Sequence, residues 1–108
     1  MEQQRAVIVL TTWPADRDAT ILATTLVEER LAACVSLLPE MASTYRWQGA
    51  VERASERQAI IKTAAHRVPA LLDRLQQLHP YEVPETLVLE VTGGGASYLA
   101  WLAASTAP

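Results

Sequence analysis

The stretch VSLLPEMASTYRWQGAVERASERQAIIKTA, residues 35–64, decides the fold of this chain because its polarity alternates with a period of two. From Val35 to Trp47 the odd positions are mostly apolar and the even positions mostly polar, which is typical of a strand with one apolar face. Pro39 cannot donate a backbone hydrogen bond to a sheet, so we expect an edge or a bulge there. Gly49 offers a turn, and the chain then returns as a second strand. The stretch therefore predicts a central hairpin that is longer than usual.

The segments on either side of this hairpin each contain a strand and a helix. Before the hairpin, a short run rich in β-branched residues predicts a buried strand, and apolar residues then recur on one face of a helix over residues 16–32. Asp16 is placed to cap the start of that helix. After the hairpin, a second amphipathic helix, a strand and a short helix follow. They are predicted at residues 66–79, at residues 86–91 and within residues 92–106.

The order β-α-β-β-α-β, followed by a short C-terminal helix, is that of a ferredoxin-like α+β fold. We expect a four-stranded antiparallel sheet with both long helices on one face. The length predicts a single domain over residues 1–108. A domain of this size has a small core, so burying further surface in an oligomer would stabilise it.

The composition disfavours several partners and compartments. The net charge is −3 and the isoelectric point is about 5.3, so the chain lacks the basic surface that nucleic-acid binding needs. Cys34 is the only cysteine and cannot form an internal disulfide, which is typical of a reducing compartment. The apolar run at residues 6–10 is too short for a signal-peptide core or a membrane span. We therefore expect a cytoplasmic protein with no nucleic-acid partner and no membrane partner.

Residues 78–85, LHPYEVPE, bring scarce residue types together between two prolines. Pro80 biases His79 toward an extended backbone, so the imidazole lies where the second long helix ends. One interpretation is a rigid connection into the last strand. The other is a segment whose stiffness holds Tyr81 and Glu82 in place for chemistry. The pattern of residues leaves both interpretations open.

Cys34, His66 and His79 are the residues that could supply soft metal ligands. They are well separated along the chain, so we do not expect a closed four-ligand site from one chain. A partial site, or a site completed by a neighbouring subunit, stays open. Cys34 is either a small buried residue or a functional thiol with the cation of Lys62 beside it. The sequence contains no nucleophile–base motif and no phosphate-binding loop, so we do not expect an enzyme.

Six blocks occur in order along the chain: LVEERLAACV, YRWQG, IIKT, LHPYEVPE, VTGG and YLAWL. Together they resemble the CutA family of divalent-cation tolerance proteins, over residues 7–106. The resemblance implies a tight homotrimer in which the central hairpins join edge to edge. It implies a role in tolerance of copper and other divalent ions, with no established enzymatic reaction. It places an inter-subunit cleft at Tyr45, Trp47, Lys62, Tyr81, Glu82, Pro84 and Glu85, and candidate metal ligands at His79 and Cys34.

Two departures from the family pattern remove soft ligands. Some members carry a cysteine where this chain has Thr11, and some carry a second histidine where it has Leu78. The resemblance therefore implies weak binding of copper or another divalent cation. An alternative function stays open. The chain would then form a signal-transduction or scaffold trimer whose clefts bind a small anionic ligand or a protein partner.

Overall fold

The computed structural model describes residues 5–108, which form one antiparallel sheet of five strands and three α-helices. The strands are β1 (Ala6–Pro14), β2 (Cys34–Leu37), β3 (Met41–Trp47), β4 (Ala50–Ala64) and β5 (Leu87–Glu90). The helices are α1 (Thr20–Glu28), α2 (Val68–Leu78) and α3 (Ala96–Ser105), with a 3-10 turn at Ala65–Arg67 before α2. The sheet order is β2-β4-β1-β5, and β3 pairs with β4 beyond β2. This topology confirms the predicted ferredoxin-like α+β fold and its C-terminal helix.

The sheet has five strands rather than the four expected because the chain breaks its ladder at Pro39. Leu37 lies opposite Ala59 and Met41 lies opposite Glu56, so residues 38–40 face only two residues of β4. Such a count of three against two is a β-bulge, which Pro39 favours because it cannot donate to the ladder.

This bulge moves the apolar residues of β3 to the other face of the sheet. A shift of one residue reverses every side chain, because side chains alternate with a period of two. Val35 pairs with Ile61 in the core, whereas Tyr45 pairs with Glu52. The expectation of one continuous apolar face is therefore wrong at Pro39, where the odd-numbered residues leave the core.

The hairpin of β3 and β4 closes with two residues, Gln48 and Gly49. Both have positive φ, at 50° and 83°, as a type I′ turn requires. Trp47 and Ala50 pair directly on either side of this turn. The long hairpin contributes to an extended shape, with a longest axis of 45 Å against 26 and 24 Å in the other directions.

The main core lies between the sheet and the two helices α1 and α2, which confirms that both long helices pack on one face. Its buried members are Val7, Val9, Trp13, Ala19, Leu22, Leu26, Leu31, Ala32, Ile61, Leu71 and Leu75. A smaller cluster forms around Leu102 of α3 with Ala6, Ala33 and Ala64. Within residues 5–108 no helix is both long and apolar enough to cross a membrane.

Helix α1 is shorter than the apolar pattern predicts. It begins at Thr20, whose backbone N–H and hydroxyl both donate to Asp18, so the expectation that Asp16 caps the helix is wrong. It ends before Arg30, which has a positive φ of 61°. The backbone N–H of Leu31 then donates to Leu26, and the Leu31 side chain stays in the core although the helix has ended.

Candidate ligand pocket

A concave pocket of about 750 Å³ lies between the β3–β4 hairpin and the segment after α2. A volume of this size is within the range of about 300–1,000 Å³ that is typical of small-molecule sites. Its lining residues come from β1, from the hairpin and from residues 80–85. They are Thr12, Met41, Ser43, Thr44, Tyr45, Trp47, Glu52, Glu56, Gln58, Pro80, Tyr81, Glu82, Val83 and Glu85.

The hairpin wall of the pocket follows from the bulge at Pro39. Residues directly opposite each other in an antiparallel pair share a face, so Tyr45 and Glu52 point to the same side, as do Met41 and Glu56. Trp47 continues this face toward the turn. Tyr45 and Trp47 are 40% and 41% exposed, because the core lies on the other side of the sheet.

The opposite wall is held in place by His79, which ends α2. Its backbone N–H donates to Leu75 across 2.8 Å, and its extended backbone, with ψ of 136°, agrees with the bias imposed by Pro80. Nδ1 of the ring accepts the backbone N–H of Tyr81 across 3.0 Å. Nε2 therefore carries the ring proton in the neutral imidazole and donates it to the Thr12 carbonyl across 2.6 Å.

His79 lies in an environment that favours its neutral form. His79 is 8% exposed, and its ring and the Trp13 ring form a T-shaped pair with 4.8 Å between ring centroids. Burial lowers the pKa of His79, while the Thr12 carbonyl and the charge of Glu56 oppose that shift. The neutral ring thus fixes the direction in which residues 80–85 leave the helix.

Two hydrogen bonds tie residues 80–85 to β4. The Tyr81 hydroxyl donates to Glu56 across 2.8 Å, and Gln58 donates to Glu85 across 3.0 Å. The pKa of Tyr81 is raised well above its usual value, first by burial and then by the bond to Glu56 and its charge. Gln58 also donates to the Thr11 carbonyl across 2.7 Å, so its amide joins β1 to this segment.

The structure brings together five of the seven residues that the resemblance placed in a cleft. Tyr45, Trp47, Tyr81, Glu82 and Glu85 all line the pocket. Pro84 lies in the same segment but does not line the pocket. Lys62 lies opposite Cys34 in the pairing of β2 with β4, and it does not line the pocket either. Whether this pocket lies between subunits stays a prediction, since one chain is described.

The candidate metal ligands His79 and Cys34 do not come together with other ligands among the described residues. Both ring nitrogens of His79 already hold hydrogen bonds, so neither offers a free lone pair. Cys34 is half-buried on β2, and its Sγ lies 3.8 Å from the Ser36 hydroxyl. Among residues 5–108, no group of three or more His, Cys, Asp or Glu residues is arranged to hold a metal ion. The part of the chain that the structure describes therefore does not form a soft-ligand site by itself.

The four lining residues on β1 and β4 were not predicted as site residues: Thr12, Glu52, Glu56 and Gln58. The even positions of β4 carry polar residues at 52, 56 and 58, and counting back from the two-residue turn places Glu52 opposite Tyr45. That register was readable once the turn at Gly49 was recognised. The same register places Glu56 opposite Met41, but its burial was not readable, because it depends on the end of β1 and on the segment that carries Tyr81.

Comparisons with known proteins agree on one family. The family model described as CutA1 divalent ion tolerance protein matches residues 7–105. The divalent-cation tolerance protein CutA of Pectobacterium atrosepticum is 52% identical over 100 residues, covering 93% of this chain and 91% of the relative. The protein of the same name from Thermus thermophilus is 46% identical over 99 residues, covering 92% and 96%.

Solved structures of similar proteins share the fold along nearly the whole chain. The crystal structure of CutA from Xylella fastidiosa has a TM-score of 0.91 at 43% identity, covering 95% of this chain and 99% of that one. The crystal structure of CutA1 from Oryza sativa has a TM-score of 0.93 at 36% identity, covering 99% and 98%. The arrangement of the hairpin and helices described above is therefore shared with these proteins.

Proposed function

The chain belongs to the CutA1 divalent ion tolerance protein family, and from this membership we propose that it acts in divalent-cation tolerance as a homotrimer that binds divalent cations weakly. The observation that carries the proposal is the charge of the pocket. Among residues 5–108 its ionisable lining residues are glutamates and tyrosines, with no lysine, arginine or histidine: Tyr45, Glu52, Glu56, Tyr81, Glu82 and Glu85. A concave surface with charges of one sign attracts counter-ions of the other.

The ligand chemistry of this pocket supports weak rather than tight copper binding. Carboxylate oxygens suit many divalent ions, whereas selective copper sites use imidazole and thiolate ligands. Glu56 and Glu85 are already hydrogen-bonded, which leaves Glu52 and Glu82 as the more available carboxylates. We expect Cu(II) to bind most tightly among the divalent ions, as it does to most ligand sets, and we expect the affinities of the different ions to differ little.

Self-association is supported by an apolar strip on the sheet face opposite the main core. Leu89 pairs with Ile8, and Leu10 pairs with both Leu87 and Ile60. Leu87 and Leu89 are 55% and 48% exposed, and β5 is an edge strand of the sheet. An exposed apolar strip beside an open edge is typical of an interface. The number of three subunits comes from the family resemblance.

The alternative of a trimer that binds a small anionic ligand is less well supported. Lys62 is the one cationic side chain that the resemblance placed in the cleft, and it does not line the pocket of the described chain. The four glutamates of the pocket would repel an anion. We also propose that the protein binds its ligand without catalysing a reaction. We propose that it acts in the cytoplasm, because a lone cysteine is typical of a reducing compartment.

Isothermal titration calorimetry with Cu(II) and Zn(II) tests this proposal. We expect the double variant Glu52→Gln, Glu82→Gln to bind both ions at least tenfold more weakly, because two charged oxygen ligands are lost. Glu28→Gln, which removes an exposed charge of α1, is the control and should bind as the wild type does. His79→Gln should also retain binding, because its ring nitrogens are engaged elsewhere.

Two outcomes would contradict the pocket as the cation site. The first outcome is that the double variant binds Cu(II) and Zn(II) as tightly as the wild type. The second is that His79→Gln abolishes binding while the double glutamate variant retains it. The second outcome would favour the histidine-centred site that the sequence predicted.

A further inference from the structure

We draw no further inference here: the strongest candidate, the cavity of about 440 Å³ between the loop after β1, the N-terminus of α1 and Arg57 of β4, carries nothing because two aspartates offset the charge of its two arginines and nothing among residues 5–108 shows what ligand would fill it.

Discussion

Tyr81 donates its hydroxyl to Glu56 across 2.8 Å, at the point where β4 changes its partner strand. Glu56 lies opposite Pro14 at the end of β1 and opposite Met41 at the start of β3. The bond therefore joins the segment after α2 to the base of the long hairpin. Glu56 is only 7% exposed, so its carboxylate depends on a donor from the protein rather than on water.

Tyr81→Phe should destabilise the protein although it removes a single oxygen atom. It leaves the buried Glu56 carboxylate without its donor, and such a loss costs about 1–3 kcal/mol of the free energy of unfolding. Urea denaturation at fixed protein concentration measures the change. Tyr98→Phe removes a hydroxyl from a side chain that is 46% exposed, and it should leave the free energy of unfolding within about 0.5 kcal/mol of the wild type. Equal stabilities of the two variants would contradict the role of the Tyr81–Glu56 bond.

Acid should destabilise the fold through His79. Its pKa is lower in the folded state than the usual value of 6.5, mainly because the ring is buried. The unfolded chain therefore takes up a proton on this residue more readily, and acid favours unfolding. Protonation of Nδ1 would also place a second N–H against the Tyr81 backbone donor. The stabilisation is complete above pH 6.5 and is lost as the pH falls through the folded-state pKa.

Unfolding by urea between about pH 5 and about pH 8 measures this dependence. The free energy of unfolding of the wild type should decrease below the histidine range, and His79→Gln should show a smaller slope there because it cannot take up the proton. A slope in His79→Gln as large as that of the wild type would assign the acid sensitivity to other groups.

The order of helices and strands was predictable from the sequence because each element has a clear periodicity. The apolar alternation of residues 35–47 predicts a strand, and Pro39 predicts an irregularity. The alternation does not show that the bulge adds one residue and thereby reverses the faces of the strand. The odd positions are apolar both before and after Pro39, although they face opposite sides of the sheet. The side that Tyr45 occupies is therefore a property of the register with β4.

The pattern of residues alone marked the candidate site only in one continuous segment. Tyr81 and Glu82 were singled out because two prolines bracket the segment that carries them, whereas Tyr45, Trp47 and Glu85 were predicted from the family resemblance. Glu56 carries no such mark, and its burial arises from the meeting of three strands and one connection. The ring nitrogens of His79 are engaged by backbone groups, which a pattern of side chains does not reveal.

Gly49→Ala should weaken the hairpin although the added methyl group has space. No atom lies within 4 Å of the position of its Cβ, but the backbone φ of 83° is unfavourable for a residue with a side chain. The strain should lower the free energy of unfolding by about 1–2 kcal/mol. Gly93→Ala is the matched control, because its Cβ also meets no atom within 4 Å and its φ is not in the strained range. Thermal unfolding of both variants should separate them, and equal melting temperatures would show that the turn relaxes without cost.

Leu89→Lys should disrupt the assembly of subunits. Leu89 is 48% exposed on β5 and belongs to the apolar strip with Ile8, so a partner that covers this face would bury it. A lysine there would place an unpaired charge in that interface, which costs several kcal/mol when no counter-charge is near. Ile21→Lys is the matched control, because Ile21 is 68% exposed on α1 and lies away from the strip.

Size-exclusion chromatography with light scattering at micromolar concentration measures the mass of each variant. We expect the wild type and Ile21→Lys to have about three times the protomer mass of 11.8 kDa. Leu89→Lys should elute as a single subunit, because the lysine prevents a partner from covering the apolar strip. The subunit should stay folded, because the main core between the sheet and helices α1 and α2 is unchanged. A trimeric Leu89→Lys would place the interface elsewhere on the molecule, and a monomeric wild type would contradict both the trimer and the function of the strip.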